Sequence, residues 1–98
     1  MIEHHFGAGV YAKETRIPAG MSLTQHKHAH DHLSILAIGT AQVTVENHTT
    51  TVTGPACLTI VAGKHHSVTA LTDVVWYCVH ATDCTDIEQI DQVLIAKE

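Results

Sequence analysis

Short strand-length runs of apolar and β-branched residues recur along this chain, and residues that favour turns separate them. The runs cover residues 10–17, 33–38, 41–46, 50–53, 57–61, 66–71 and 74–81. Val, Ile and Thr are abundant in them, and these β-branched side chains favour extended strands over helices. The pattern predicts an all-β domain of seven or eight strands, arranged as a sandwich or barrel.

The end of the chain has a different pattern. Thr85 and Glu88 have the spacing of a capping box, in which the two side chains satisfy backbone groups at the start of a helix. The apolar residues that follow recur at helical spacing: Ile87, Ile90, Val93 and Leu94. We therefore predict one short C-terminal helix after the last strand.

Composition fits a single globular domain over residues 1–98, because 45% of the residues are apolar and only 15% are charged. The formal net charge of −5 argues against nucleic acid as a partner. No apolar run reaches the roughly 18–20 residues of a membrane span, and the N-terminus does not resemble a signal peptide. Three cysteines without a CxxC spacing favour reduced thiols. We expect a soluble cytoplasmic protein that has no membrane partner.

Histidine is the unusual feature, with ten in 98 residues. His26, His28, His30 and His32 alternate, but one straight strand cannot bring all four together. At about 3.3 Å per residue, His26 and His28 would lie about 7 Å apart, whereas His32 would be about 20 Å from His26. A turn at residues 29–31 would return His32 toward His26 and His28, with His30 at its tip. Three imidazoles at this spacing can share a metal ion.

These residues resemble the first motif of the cupins, which runs glycine, five residues, His, one residue, His, three or four residues, Glu, six residues, glycine. Gly20, His26, His28, His32 and Gly39 fall on that template, with His32 in place of the usual glutamate. The chain is also similar to short cupins encoded in phage genomes, for which no reaction is assigned.

The second cupin motif, proline, one residue, glycine, two residues, His, is matched more weakly. Gly63 and His66 fit this motif, whereas Val61 stands where the family has proline. The two motifs span residues 20–66, and the strands on either side suit the cupin barrel. The resemblance implies a cupin-type β-barrel, also called a double-stranded β-helix or jelly roll.

The resemblance further implies a metal site formed by His26, His28, His32 and His66. The ion would be one divalent transition metal per chain, and Fe, Ni, Mn, Cu and Zn all remain open because ligand type alone does not choose among them. Four neutral imidazoles would leave the ion its full +2 charge, which would polarise a bound molecule more strongly than a site containing a carboxylate.

The remaining polar residues are expected to contribute less. His4, His5, His30 and His48 are assigned to the N-terminal tail or to turns, and His65 should point outward because it alternates with His66. His80 shares a strand face with Val74, Trp76 and Cys78 and is interpreted as a core histidine that could touch a substrate. Asp31, Glu14 and Glu46 are expected to be solvated, although Asp31 could reach the pocket. The chemistry would then take place at the metal.

Two functions remain open at this stage. The first is a metal-dependent enzyme, most simply a dioxygenase-like oxidoreductase, acting on a small oxygen-bearing molecule; cupin isomerases and lyases are alternatives. The second is a non-catalytic module that binds a metal or metabolite. In either case we expect a homodimer, because Leu33, Ile35 and Ala37 occupy the strand face opposite His32 and leave that face apolar.

Overall fold

The computed structural model describes residues 1–25 and 30–86, and in these ranges the chain forms nine β-strands. The strands are β1 (Ile2–Gly7), β2 (Val10–Ile17), β3 (Ser22–Gln25), β4 (His32–Ile38), β5 (Thr40–Val45), β6 (His48–Thr53), β7 (Ala56–Ile60), β8 (His66–Ala70) and β9 (Val74–Ala81). None of the described residues belongs to a helix with the length and apolar character of a membrane span. The predicted C-terminal helix falls on residues 87–98, which lie outside the described part of the chain.

The strands form two antiparallel sheets. One has five strands in the order β1-β2-β9-β4-β7, and the other has four in the order β3-β8-β5-β6. Strands far apart in sequence are neighbours in both sheets, because β2 pairs with β9 and β3 pairs with β8. The all-β prediction is confirmed, and the predicted strands 10–17 and 74–81 match β2 and β9 residue for residue.

The first strand was not predicted, and its residues correct two expectations. His4 and His5 lie in β1, which pairs along its whole length with β2, and not in a loose tail. The connection is a two-residue turn at Ala8 and Gly9, both with positive φ, a conformation that suits a tight hairpin. His48 likewise begins β6 and is not a turn residue.

The core lies between the two sheets. Leu36 and Trp76 from the five-stranded sheet and Val68 from the four-stranded sheet are fully buried in one cluster. β9 supplies Val74, Trp76, Cys78 and His80 from one buried face, as predicted for His80. The Trp76 indole N–H donates a hydrogen bond to Cys78 Sγ at 3.3 Å. This packing fixes the strand that carries His80 against the centre of the molecule.

Gly39 forms the tight connection between β4 and β5. Its φ of +98° is one that residues with a side chain rarely adopt, and a Cβ atom here would overlap the carbonyl oxygen of Asp73. The glycine that ends the first motif is therefore needed where the chain passes close to the start of β9.

The side of the five-stranded sheet that faces away from the core is apolar on β4 and β9, whereas β2 brings Glu14 and Arg16 to the same side. We call it the outer sheet face and define it by Leu33, Ile35, Val75, Tyr77 and Val79. The register sets Leu33 opposite Val79 and Ile35 opposite Tyr77. Leu33 is 50% exposed, whereas His32 and Ser34 on either side of it are buried. The predicted alternation along β4 is therefore confirmed.

The three cysteines form no disulfide. Cys78 is buried, Cys84 is half-buried and Cys57 is exposed. Cys57 lies opposite Ile35 in the pairing of β7 with β4. Reduced thiols agree with the sequence analysis, but only Cys78 belongs to the core.

Candidate metal centre

Two of the four predicted ligands lie in the described residues, and they meet between the sheets. His32 is the first residue of β4 in one sheet, and His66 is the first residue of β8 in the other. Both side chains are buried, with 5% and 2% of their surface exposed. Each occupies the same face of its strand as the apolar or small residues at every second position, which are also buried, and it therefore points inward. The two ring centroids are 5.9 Å apart and the ring planes are tilted by 47°.

A hydrogen bond from a backbone N–H to a side-chain carboxylate joins the two segments that precede these histidines. The Ala62 N–H, in the connection between β7 and β8, donates to Asp31 Oδ1 at 2.7 Å. Asp31 directly precedes His32, and Ala62 lies in the loop that leads to His66. Asp31 is itself exposed, so its described role is to join the two ligand-bearing segments.

The described histidine pair fits a transition-metal ion. Two imidazoles that share an ion through nitrogens about 2.0–2.2 Å away hold their ring centroids roughly 4.5–6.5 Å apart, depending on the angle at the ion. The observed 5.9 Å lies in this range. An ion bound by two imidazoles must lie near the plane of each ring, because the nitrogen lone pairs lie in those planes. The 47° tilt allows the two ring planes to meet at such a position. Buried neutral imidazoles are also the donors that first-row transition metals favour.

The other two predicted ligands, His26 and His28, lie outside the described residues. His30 and His65 are exposed. The outward orientation of His65 is therefore confirmed, because it alternates with the buried His66.

His80 and Tyr11 extend the buried histidine pair, and the importance of Tyr11 was not foreseen from the sequence. The His80 ring stacks on His32 with centroids 4.2 Å apart and planes inclined by 28°. Tyr11 stacks on His80 at 6.1 Å and 20°. The register explains this contact, because Tyr11 and His80 are direct partners in the pairing of β2 with β9. The period-two alternation of β9 correctly predicted that His80 faces inward, but it could not predict which residue of another strand lies beside it.

Ser34 contacts His32 from deeper in the core. Its hydroxyl oxygen is 3.3 Å from His32 Nε2, and the hydroxyl donates to Cys78 Sγ at 3.7 Å. Ser34 is completely buried two residues along β4 from His32. The imidazole of His32 is therefore contacted on one face by a ring and at one edge by a hydroxyl group.

Among the described carboxylates, that of Glu46 lies near His66, because both residues line one cavity. Glu46 is exposed, and its Oε1 accepts a hydrogen bond from the His65 N–H at 3.3 Å. Glu14 is on the outer side of the five-stranded sheet, opposite Tyr77. Within residues 1–25 and 30–86, the groups that contact His32 are therefore imidazole and hydroxyl groups, whereas Glu46 brings a carboxylate to the cavity that His66 lines.

Glu14 corrects a prediction, because it was expected to be solvated and is only 6% exposed. Its Oε1 accepts a hydrogen bond from the Tyr77 hydroxyl at 3.0 Å and lies 3.2 Å from His5 Nε2, and its Oε2 is 3.3 Å from Arg16 Nη2. These neighbours cover the carboxylate. Glu3, His5 and Glu14 bring three donor atoms within 4.8 Å of one another, but Arg16 already occupies one side of the group. Alternation along β2 agrees with the outward side of Glu14, but it does not predict that Tyr77, His5 and Arg16 surround the carboxylate.

The hydrogen bond from Tyr77 is the largest cause that lowers the pKa of Glu14 below its usual value of 4.5, and His5 and Arg16 lower it further against the opposing effect of burial. The same contact raises the pKa of Tyr77 above 10.0. Since the unfolded chain binds this proton at a higher pH than the folded chain, Glu14 stabilises the fold above about pH 4.5. That contribution is lost as the pH falls through the folded pKa.

We therefore expect Tyr77→Phe to raise the pKa of Glu14 toward 4.5 and to flatten the dependence of thermal stability on pH below that value. A carbon-detected NMR titration of the Glu14 carboxyl, with melting curves from pH 3 to 7, measures both effects. Tyr11→Phe is the matched control, because the Tyr11 hydroxyl contacts His4 Nδ1 and not Glu14. An unchanged Glu14 titration in Tyr77→Phe would show that the hydroxyl does not control this carboxylate.

No protein-family model matches the sequence, and no curated protein matches it either. Solved structures match its fold. A cupin 2 domain-containing protein from Halorhodospira halophila superposes with a TM-score of 0.74 at 16% identity, covering 94% of this chain and 73% of that one.

Two further structures agree. An RmlC-like cupin family protein with a double-stranded β-helix fold from Methanocaldococcus jannaschii gives a TM-score of 0.73 at 13% identity, covering 84% of this chain and 79% of that one. A cupin superfamily protein from Desulfitobacterium hafniense gives 0.71 at 15% identity, covering 85% and 79%. At these identities the likeness shows the fold, and the fold that the resemblance to the cupin motifs implied is confirmed.

Proposed function

Because the chain has the double-stranded β-helix fold of the cupins, we propose that it is a small cupin that binds one divalent transition-metal ion through His26, His28, His32 and His66. The observation that carries the proposal is the buried pair His32 and His66, which comes from opposite sheets with a centroid separation suited to a shared ion. His26 and His28 enter from the motif spacing alone. Fe, Ni, Mn, Cu and Zn are all compatible with imidazole donors.

We propose further that the centre acts on a small oxygen-bearing molecule, most simply as a dioxygenase-like oxidoreductase. A divalent ion held by neutral imidazoles supplies Lewis-acid chemistry and, for a redox metal, electron transfer. The chain's own residues bury the two described ligands, and His66 lines a cavity of about 160 Å³. His80 and Ser34 contact His32 and limit the positions its ring can take.

A non-catalytic module that binds a metal or metabolite is the second candidate. It is favoured by the contacts of His32, whose described neighbours His80 and Ser34 offer a ring and a hydroxyl group but no carboxylate. The isomerase and lyase alternatives need a positioned acid or base, and Glu46, which lines the same cavity as His66, is a described carboxylate that could serve in that role. A small molecule remains the proposed ligand in either case, and the net charge of −5 disfavours nucleic acid.

Metal analysis of untagged, freshly purified chain tests the proposal. We expect about one divalent transition-metal ion per chain. A redox metal at this stoichiometry supports the oxidoreductase, whereas zinc that varies between preparations supports the binding module. If the chain holds no metal and takes up none on addition of Fe²⁺, Co²⁺, Ni²⁺ or Zn²⁺, the proposal is wrong.

A further inference from the structure

Four rings form a column that begins on β1, at the edge of the five-stranded sheet, and ends at the buried histidine pair. We call it the ring column and define it as His4, Tyr11, His80 and His32. At its outer end, Tyr11 Oη is 2.6 Å from His4 Nδ1, and Phe6 stacks on Tyr11 with centroids 4.9 Å apart. At its inner end, His80 lies between Tyr11 and His32.

We propose that His80 is a positioning residue that fixes the orientation of the His32 imidazole for metal binding, with Tyr11 supporting it from behind. The inference rests on the proposed function, since it assigns a role to His80 only if His32 binds the ion. It goes beyond the motif residues, because neither His80 nor Tyr11 belongs to either motif.

The geometry shows why His32 benefits from such a support. Rotation about the second side-chain torsion of histidine is broad and roughly two-fold, so strand geometry alone does not fix where the ring nitrogens point. The His80 ring covers one face of His32, and Ser34 Oγ lies 3.3 Å from its Nε2. Rotation of the His32 ring would lose both contacts. Such outer contacts commonly orient metal-binding histidines.

The same geometry argues that His80 is not itself a ligand of the ion that His32 binds. Imidazole lone pairs lie in the plane of the ring, so an ion shared by two rings must lie close to both planes. The planes of His80 and His32 are inclined by only 28° and the rings are stacked at 4.2 Å, so their lone pairs do not converge. His66 is different, because its ring is tilted by 47° to His32 and its centroid is 5.9 Å away.

The side of the His80 ring that faces away from His32 is also constrained. Tyr11 is 2% exposed and His80 is 4% exposed, so both rings are confined by the core. The Tyr11 ring lies beside His80 with centroids 6.1 Å apart and planes inclined by 20°, and its hydroxyl contacts the half-buried His4. Loss of the aromatic ring at Tyr11 should therefore weaken metal binding through His32, as loss of the ring at His80 does, but by a smaller factor.

Cobalt binding to the full chain tests the proposal, because Co²⁺ reports both affinity and ligand geometry through its visible absorption. We expect His80→Leu to weaken Co²⁺ binding about tenfold and to change the position or intensity of the visible bands, in line with the ~10–100-fold cost of losing outer-shell partners. His80→Phe retains a flat ring and should stay within about threefold of wild type with an unchanged spectrum. His48→Leu, at an exposed histidine, is the matched control and should behave as wild type.

A metal-free readout separates this inference from the proposed function. In the apo protein, the His32 ring protons should lose the ring-current shift from residue 80 in His80→Leu and keep it in His80→Phe. Tyr11→Leu and Tyr11→Phe repeat the comparison one ring further out if a substitution at His80 prevents folding.

The outcomes are distinct. A wild-type chain that takes up no Co²⁺ overturns the proposed function together with this inference. Wild-type affinity and spectrum in His80→Leu overturn the inference alone. Loss of binding in His80→Phe as severe as in His66→Ala also overturns it, because His80 would then be a ligand.

Discussion

His32→Ala and His66→Ala are each expected to reduce the affinity of the chain for Zn²⁺ or Co²⁺ by at least about 100-fold, since removing a ligand costs more than removing one of its outer contacts. Each substitution deletes one of two buried imidazoles that come from opposite sheets. Isothermal titration calorimetry, with metal content measured on the purified variants, gives the loss directly. His26→Ala and His28→Ala should show losses of the same order.

Two exposed histidines beside the ligands serve as controls. His30 and His65 are each one or two residues from a predicted ligand, and both are exposed. His30→Ala and His65→Ala should therefore bind metal as wild type does. If His30→Ala depletes the metal as strongly as His28→Ala, the turn that separates these residues is misplaced and the ligand set must be changed. Melting curves of each variant identify losses that come from unfolding.

Local patterns in the sequence predicted much of the fold because burial alternates along several of its strands, among them β4, β8 and β9. β2 and β9 have the predicted bounds, and on β4 the buried His32 and Ser34 alternate with the exposed Leu33. β1 was missed because its partner is β2 and its hairpin uses Ala8 at a φ of +52°, which is an unusual residue for that conformation. β1 is fixed by its pairing with β2, so its own residues carry little of the information that would predict it.

The candidate site could be predicted only as far as its motif. Spacing singled out His32 and His66, but the stack of His80 on His32 requires β9 to pair with β4, and the contact of Tyr11 requires β9 to pair with β2. Both pairings join residues that are far apart in the chain, so no local period contains them. The burial of Glu14 was missed for the same reason, because its cover comes from Tyr77 on β9 and His5 on β1.

Leu33→Glu is expected to convert the proposed homodimer to a monomer. Leu33 lies on the outer sheet face opposite Val79 and is 50% exposed, and a second copy of this chain would bury it against an equivalent apolar surface. A dimer interface of standard size buries about 800 Å² on each partner, so the contact would extend from the outer sheet face on β4 and β9 onto the neighbouring strands. A glutamate there would place two like charges in a water-free contact, which is strongly unfavourable.

Leu71→Glu is the matched control for this experiment. Leu71 is 48% exposed, so the same substitution changes nearly the same amount of accessible leucine, but it follows β8 in the other sheet. In sedimentation equilibrium at micromolar concentration, we expect wild type and Leu71→Glu to be dimers and Leu33→Glu to be a monomer with unchanged circular dichroism. If wild type is itself a monomer, the outer sheet face is not an interface between copies. If Leu33→Glu remains a dimer, the copies associate through another surface, and the apolar character of this face needs a different explanation.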